Sequence, residues 1–174
     1  MAKLWQVASE DERPQWALVP HVSVGPLRFE MSPAEVAASI GAQRPTISRS
    51  NAHDGLVRES YPDPGLTLYY RPQDPKLFGI SVNALRGPQV SFEGRALVGQ
   101  VPSEVEQWLF ERAEQRPAHS ELFYLPAAEC GSFSLGMVVC VQRAGDRLIS
   151  RPVFLPADAN DDMYHQLPSE AWQI

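Results

Sequence analysis

The chain has 174 residues, with 21 Asp+Glu against 15 Lys+Arg, a formal net charge of -6 and 44% hydrophobic residues. That length can bury a core without disulfides or metals, and the charged fraction of 21% is too low for a disordered acidic chain. The acidic balance argues against general binding to DNA, RNA or anionic lipid, and no apolar run is long enough to span a membrane.

The opening Met1-Ala2-Lys3-Leu4-Trp5-Gln6-Val7 lacks the apolar stretch of an export signal, so a cytoplasmic location is expected. Residues 1–21 read as a lead-in. Glu10-Asp11-Glu12-Arg13-Pro14 is a charged turn, and Trp16-Ala17-Leu18-Val19 reads as a short edge strand that stops at Pro20. Leu27 and Phe29 alternate about Arg28, which predicts a short strand. The strongest helix signal follows in Ser32-Pro33-Ala34-Glu35, a capping box with proline at the first helical position. Val36, Ala37 and Ile40 supply its apolar face, and Gly41 is a natural stop.

Residues 42–54 read as a loop ending in His53-Asp54-Gly55. Three strands are expected next, over 56–61, 66–70 and 77–83, punctuated by Pro62, Pro64, Pro72 and Pro75, because proline cannot donate to a strand ladder. A second round begins near Val90. Ser103-Glu104-Val105-Glu106 predicts another capping box, and the helix runs to about Arg116. Val105, Trp108, Leu109 and Arg112 form its inward stripe, and Glu104, Gln107, Glu111 and Glu114 its outward one. Three strands are expected again, at 121–125, at 135–142 centrally in a sheet, and at 147–155 after a turn over Arg143-Ala144-Gly145-Asp146.

Gly25, Pro33, Glu35, Val36 and Ile40 match Gly94, Pro102, Glu104, Val105 and Leu109 at one constant spacing. The expected fold is therefore α+β, built from two strand-helix-three-strand units, 22–90 and 91–157. Its sheet is mainly antiparallel, with the helices packed on one face. Residues 158–174 form an acidic C-terminal tail.

Few residues suggest chemistry. Cys130 and Cys140 lack a C-x-x-C motif and read as reduced, buried thiols on strands. Asp158-Ala159-Asn160-Asp161-Asp162 opens like a calcium loop, but Met163 and Ser169 stand where Gly and Glu are needed. His21, His53, His119 and His165 form no metal-binding or catalytic spacing, although a non-local Cys–His–Asp site using either cysteine stays open. Phosphate-binding glycine motifs and the hydrolase nucleophile elbow are absent. No catalytic residue, cofactor or metal is predicted. Tyr61, Tyr69 and Tyr70 on adjacent strands either line a pocket or pack across strands, with Tyr61 and Tyr69 the first pocket candidates. Glu104, Glu111 and Glu114, extended by Glu121, Glu129 and the tail residues Asp158, Asp161 and Asp162, form the candidate face for a basic partner.

The segment from Val24 through Gly41, with Gly25, Phe29, Met31, Ser32, Glu35, Val36 and Gly41, resembles the G-x-x-F-G-M-S-x-x-E-V-x-x-x-L-G openings of small bacterial proteins. Among these are actinobacterial proteins and immunity proteins of toxin systems. It is similar, more loosely, to the superfamily of the beta-lactamase inhibitor protein and the outer-membrane assembly lipoprotein. Glu30 departs from the pattern, which has glycine there. The resemblance implies a helical unit packed on an antiparallel sheet and, with the inhibitor protein, a tandem repeat. The function expected is non-enzymatic protein binding, as an immunity-type inhibitor of a toxin or enzyme. Two alternatives stand beside it: a small-molecule binder or enzyme with a site between the two units, and an accessory interaction protein.

Overall fold

The computed structural model describes residues 4–41, 44–49, 55–116, 121–125 and 129–160. A first strand, β1 (Gln15–Val19), is followed by β2 (Ser23–Val24), β3 (Leu27–Arg28) and helix α1 (Pro33–Ile40). Strands β4 (Thr46–Arg49), β5 (Val57–Tyr61), β6 (Leu66–Tyr70) and β7 (Leu77–Val82) come next. Then follow β8 (Gln89–Phe92), β9 (Arg95–Ala96), helix α2 (Pro102–Glu114), β10 (Leu122–Tyr124), β11 (Cys130–Ser132), β12 (Met137–Ala144) and β13 (Arg147–Phe154).

The fold is α+β, with two sheets. The larger runs β10-β11-β12-β13-β7-β6-β5-β4 and is antiparallel throughout. The smaller runs β3-β2-β1-β8-β9, with β1 and β8 parallel through Gln15↔Gln89, Trp16↔Val90 and Ala17↔Ser91. Hence β1 is the middle strand of the small sheet and not the edge strand that its sequence suggests. Nor is it a loose lead-in. Arg13 is buried and donates to the carbonyls of Gly87 and Ala84 at 2.6 Å each. The Gln89 amide, also buried, donates to Glu10 Oε1 at 2.9 Å and accepts from Val98 N at 2.9 Å. These bonds satisfy polar backbone that would otherwise be buried unpaired.

Helix α1 forms as its sequence dictates. Ser32 Oγ accepts from Glu35 N at 3.3 Å, and Glu35 Oε2 accepts from Ser32 N at 2.8 Å. Gly41 then closes the helix in the left-handed region at φ 58°. The second capping box does not form. Proline at the first helical position fixes the start of α2 ahead of Ser103, so Val101 takes the N-cap position and Ser103 already lies inside the helix.

Each helix is followed by four strands of the larger sheet, where three were expected. The additions are β4, inside the expected loop, and β11, the run Cys130-Gly131-Ser132. Neither carries an alternating apolar pattern, and both are set by their neighbours, β4 by β5 and β11 by β10 and β12.

Both faces of the large sheet are covered, so its inner strands read as continuous apolar runs. One face, with Leu68, Ile80, Met137, Val139 and Phe154, packs with Val36 of α1 and Val105 and Leu109 of α2 into the main core. The other face, with Tyr69, Phe78, Val138, Cys140 and Val153, forms a second core with Leu56, Leu155 and Ala159. No described helix is long and apolar enough to cross a membrane.

Candidate functional site

The site is built on α2. Its rotation about its own axis is fixed by the buried side chains Val105, Leu109 and Arg112. Arg112 Nη1 donates to Glu121 Oε1 at 3.3 Å and to Ser134 Oγ at 2.8 Å. Ser132 Oγ donates to the same carboxylate oxygen at 2.6 Å, as does the Ser134 hydroxyl. The Arg112 guanidinium also lies 5.3 Å from the centre of the Phe92 ring. This clamp ties α2 to β8 and to the chain around β10 and β11.

With that side inward, Glu104, Gln107, Glu111 and Glu114 face solvent, as their spacing predicts. Two of the carboxylates expected to extend this face do not. Glu121 is 8% exposed and Glu129 is 7% exposed. Glu121 is consumed by the clamp. Burial pushes the Glu129 carboxyl above its usual range, with Arg151 acting in the opposite direction. Asp158, in the 3-10 turn Ala157–Asn160, pairs with Arg71 Nη2 at 2.7 Å, so an arginine of the same chain already answers its charge. Asp161 and Asp162 lie outside the described residues, as do His53, His119 and His165.

Sequence reasoning missed two neighbours of the carboxylate stripe. Phe110 on α2 is 43% exposed and Tyr124 on β10 is 55% exposed, with ring centres 6.3 Å apart. On the opposite flank, Arg95 of β9, Ser103, Glu104, Gln107, Trp108 and Glu111 line a groove of about 310 Å³. The helical spacing puts Trp108 on the inward stripe. It packs against the main core and also lines this groove. The available signal was Phe110, a large apolar residue outside the buried stripe of its own helix.

Tyr61 and Tyr69 do not share a pocket. Arg58 pairs with Tyr69 and Tyr61 with Leu66, so the strand alternation turns the two tyrosines to opposite faces of the sheet. Tyr69 packs in the second core with the Arg58 guanidinium 5.5 Å from its ring centre. Tyr61 packs in the main core, donates to Glu59 Oε2 at 3.1 Å and borders a cavity of about 440 Å³ lined also by Ile40, Arg44, Thr46 and Asp63.

The cysteines are free and buried, as expected, and belong to different cores, Cys130 to the main one and Cys140 to the second. Burial pushes the Cys130 thiol up to about 11, with the Glu106 carboxylate adding to the shift. It is therefore a neutral thiol at pH 7 and a poor nucleophile. Among the described residues, no group of three His, Cys, Asp or Glu side chains is placed to hold a metal. No family model, no curated protein and no solved structure matches the chain.

Proposed function

We infer that the protein is a non-enzymatic binding module, an immunity-type inhibitor that covers a basic site on a toxin or enzyme inside the cytoplasm. One observation carries this reading: a helix locked in rotation presents Glu104, Glu111 and Glu114 beside the exposed aromatic pair Phe110–Tyr124. Aromatic side chains give large contact area at low entropic cost and dominate binding hot spots. The carboxylates would steer and orient a positively charged partner. The resemblance of residues 24–41 to immunity-type openings supports the same reading.

The reading includes an ancient duplication, with a hairpin, a helix and four strands in each half. Pro33 and Pro102 are both first helical residues, and Val36 and Val105 are equivalent buried positions one turn later. The match fails at Gly25 and Gly94. Gly25 is the first residue of its hairpin turn, after Val24↔Leu27, whereas Gly94 is the second, after Phe92↔Arg95.

The test is co-expression with toxin genes encoded beside this one. The wild type is expected to protect the host, and the variant Phe110→Ala/Glu111→Lys/Glu114→Lys to lose protection while its melting temperature holds. Protection by neither protein against any neighbouring toxin, with no complex recovered from the producing cell, overturns the inhibitor reading. The cavity beside Tyr61 favours a second reading, a small-molecule binder, although it lies within the first half and not between the two.

A further inference from the structure

The larger sheet ends at β10. Phe133 N donates to Glu121 O at 2.9 Å, and Leu125 N donates to Glu129 O at 3.0 Å. Every second residue of this stretch therefore turns its backbone polar groups toward β11. The residues between them, Leu122 and Tyr124, face Ser132 and Cys130 as the alternate pairs, whose N–H and C=O groups point away from β11 and out of the sheet. Among the described residues, no backbone group pairs with these four. The strand at the opposite end of the sheet, β4, starts just after Pro45 and ends in Arg49. Leu122-Phe123-Tyr124 has neither the proline nor the charge that commonly blunts an edge.

Both faces of this edge are aromatic. Alternation turns Leu122 and Tyr124 to the α2 side, where exposed Tyr124 meets exposed Phe110. On the other side Phe123 packs on Phe133, with ring centres 4.6 Å apart. An added strand would find unpaired ladder groups here, and apolar surface for its alternate side chains. The surrounding charge selects among occupants. Glu106 and Glu114 stand one turn to either side of Phe110 on α2. A second copy of this chain, paired edge to edge in a continuous sheet, would bring these carboxylates of both copies to the junction, where like charges repel. A basic segment meets opposite charge there.

Resting on the inhibitor reading, we propose that the partner adds a strand to β10, as an extended segment with basic and apolar side chains at alternate positions. Its backbone completes the ladder on Leu122 and Tyr124. An apolar side chain covers the Phe110–Tyr124 pair, and Lys or Arg two residues to either side meets Glu106 and Glu114.

The test uses the full chain and short peptides, so it needs no knowledge of the toxin. Backbone amide signals are followed by NMR during titration with acetyl-Lys-Thr-Val-Thr-Arg-Thr-amide and with a counterpart carrying Glu for Lys and Arg. The basic peptide should shift the Leu122 and Tyr124 amides saturably, and the acidic one should not. Tyr124→Ala removes the ring alone, whereas Tyr124→Pro also removes the outward N–H without breaking a bond to β11. The proline variant should bind the basic peptide about fivefold more weakly than the alanine variant, the worth of one neutral hydrogen bond. Phe110→Ala, on the exposed side of α2, should weaken it about fivefold as well. No saturable shift at millimolar basic peptide, equal binding of the acidic peptide, or indifference to both Phe110→Ala and the proline-for-alanine exchange overturns the edge proposal. Concentration-dependent dimerisation through the β10 amides overturns it too, by naming a second copy as the occupant. Failure here with protection intact would leave the inhibitor reading standing, with the partner held by side chains alone. Saturable peptide binding by a protein that protects against nothing would instead uphold the edge and overturn the inhibitor reading.

Discussion

At the scale of single residues, the tyrosines of β5 and β6 are the most informative. Tyr61 is buried with its hydroxyl on the Glu59 carboxylate, and its phenol is pushed up to about 12 by burial first and by that carboxylate second. Tyr70, also buried, is raised for the same two reasons in the same order. A tyrosine in the unfolded chain titrates near ~10. The protonated phenols are thus favoured by folding. Their contribution is complete below the unfolded value and is lost as pH rises from there through the folded one. The urea midpoint should therefore fall steeply between pH 10 and 12. Tyr61→Phe should make that fall shallower, while costing about 1–2 kcal/mol at pH 7 because Glu59 loses a donor. Urea unfolding at pH 7, 10 and 11 reads both effects, and identical pH slopes for the two proteins would reject the assignment to Tyr61.

At the scale of elements, legibility followed the physical origin of each signal. The start of α1 was readable because Ser32, Pro33 and Glu35 act on one another within a single turn. The inward stripe of α2 was readable because helical periodicity is local too. Strands β4 and β11 were not, since four and three residues without alternation pair only because neighbouring strands offer them a ladder. Nothing within Glu121-Leu122-Phe123 states that the carboxylate will lie under Arg112. That depends on where β10 and β11 dock against the helix. The clamp yields its own expectation. Arg112→Met should destabilise the fold by about 3–5 kcal/mol, because it leaves the Glu121 carboxylate buried without its cation. The double variant Arg112→Met/Glu121→Met should recover much of that loss, since neither charge then remains to be solvated. Glu111→Gln on the outer face should stay within about 0.5 kcal/mol of wild type. Denaturant unfolding of the three variants decides; a double variant no more stable than the single one would place the cost in packing and not in charge.

At the scale of the whole molecule, strand pairing joins the two halves in both sheets. Strand β7 joins β13 through Ser81↔Val153 and Ile80↔Phe154, and β1 joins β8 in the small sheet. The main core draws Leu18, Val24, Leu27, Val36, Leu68 and Ile80 from the first half and Val105, Leu109, Met137 and Phe154 from the second. A half on its own would leave one side of this shared core in water. At about half of a 174-residue chain, it would also bury a smaller fraction of its surface. Gln89 strengthens the dependence, because its amide donates across the division to Glu10 Oε1 at 2.9 Å. If the halves descend from one ancestral unit, that unit should have folded as a dimer. Fragments 1–88 and 89–174 should each unfold without a cooperative transition when alone, and should regain one when mixed. Tryptophan fluorescence during urea titration reads this directly, with Trp16 in the first fragment and Trp108 in the second. A fragment 1–88 that melts cooperatively by itself would show the first half to be self-sufficient, and the shared core would then be a later adaptation of two independent domains.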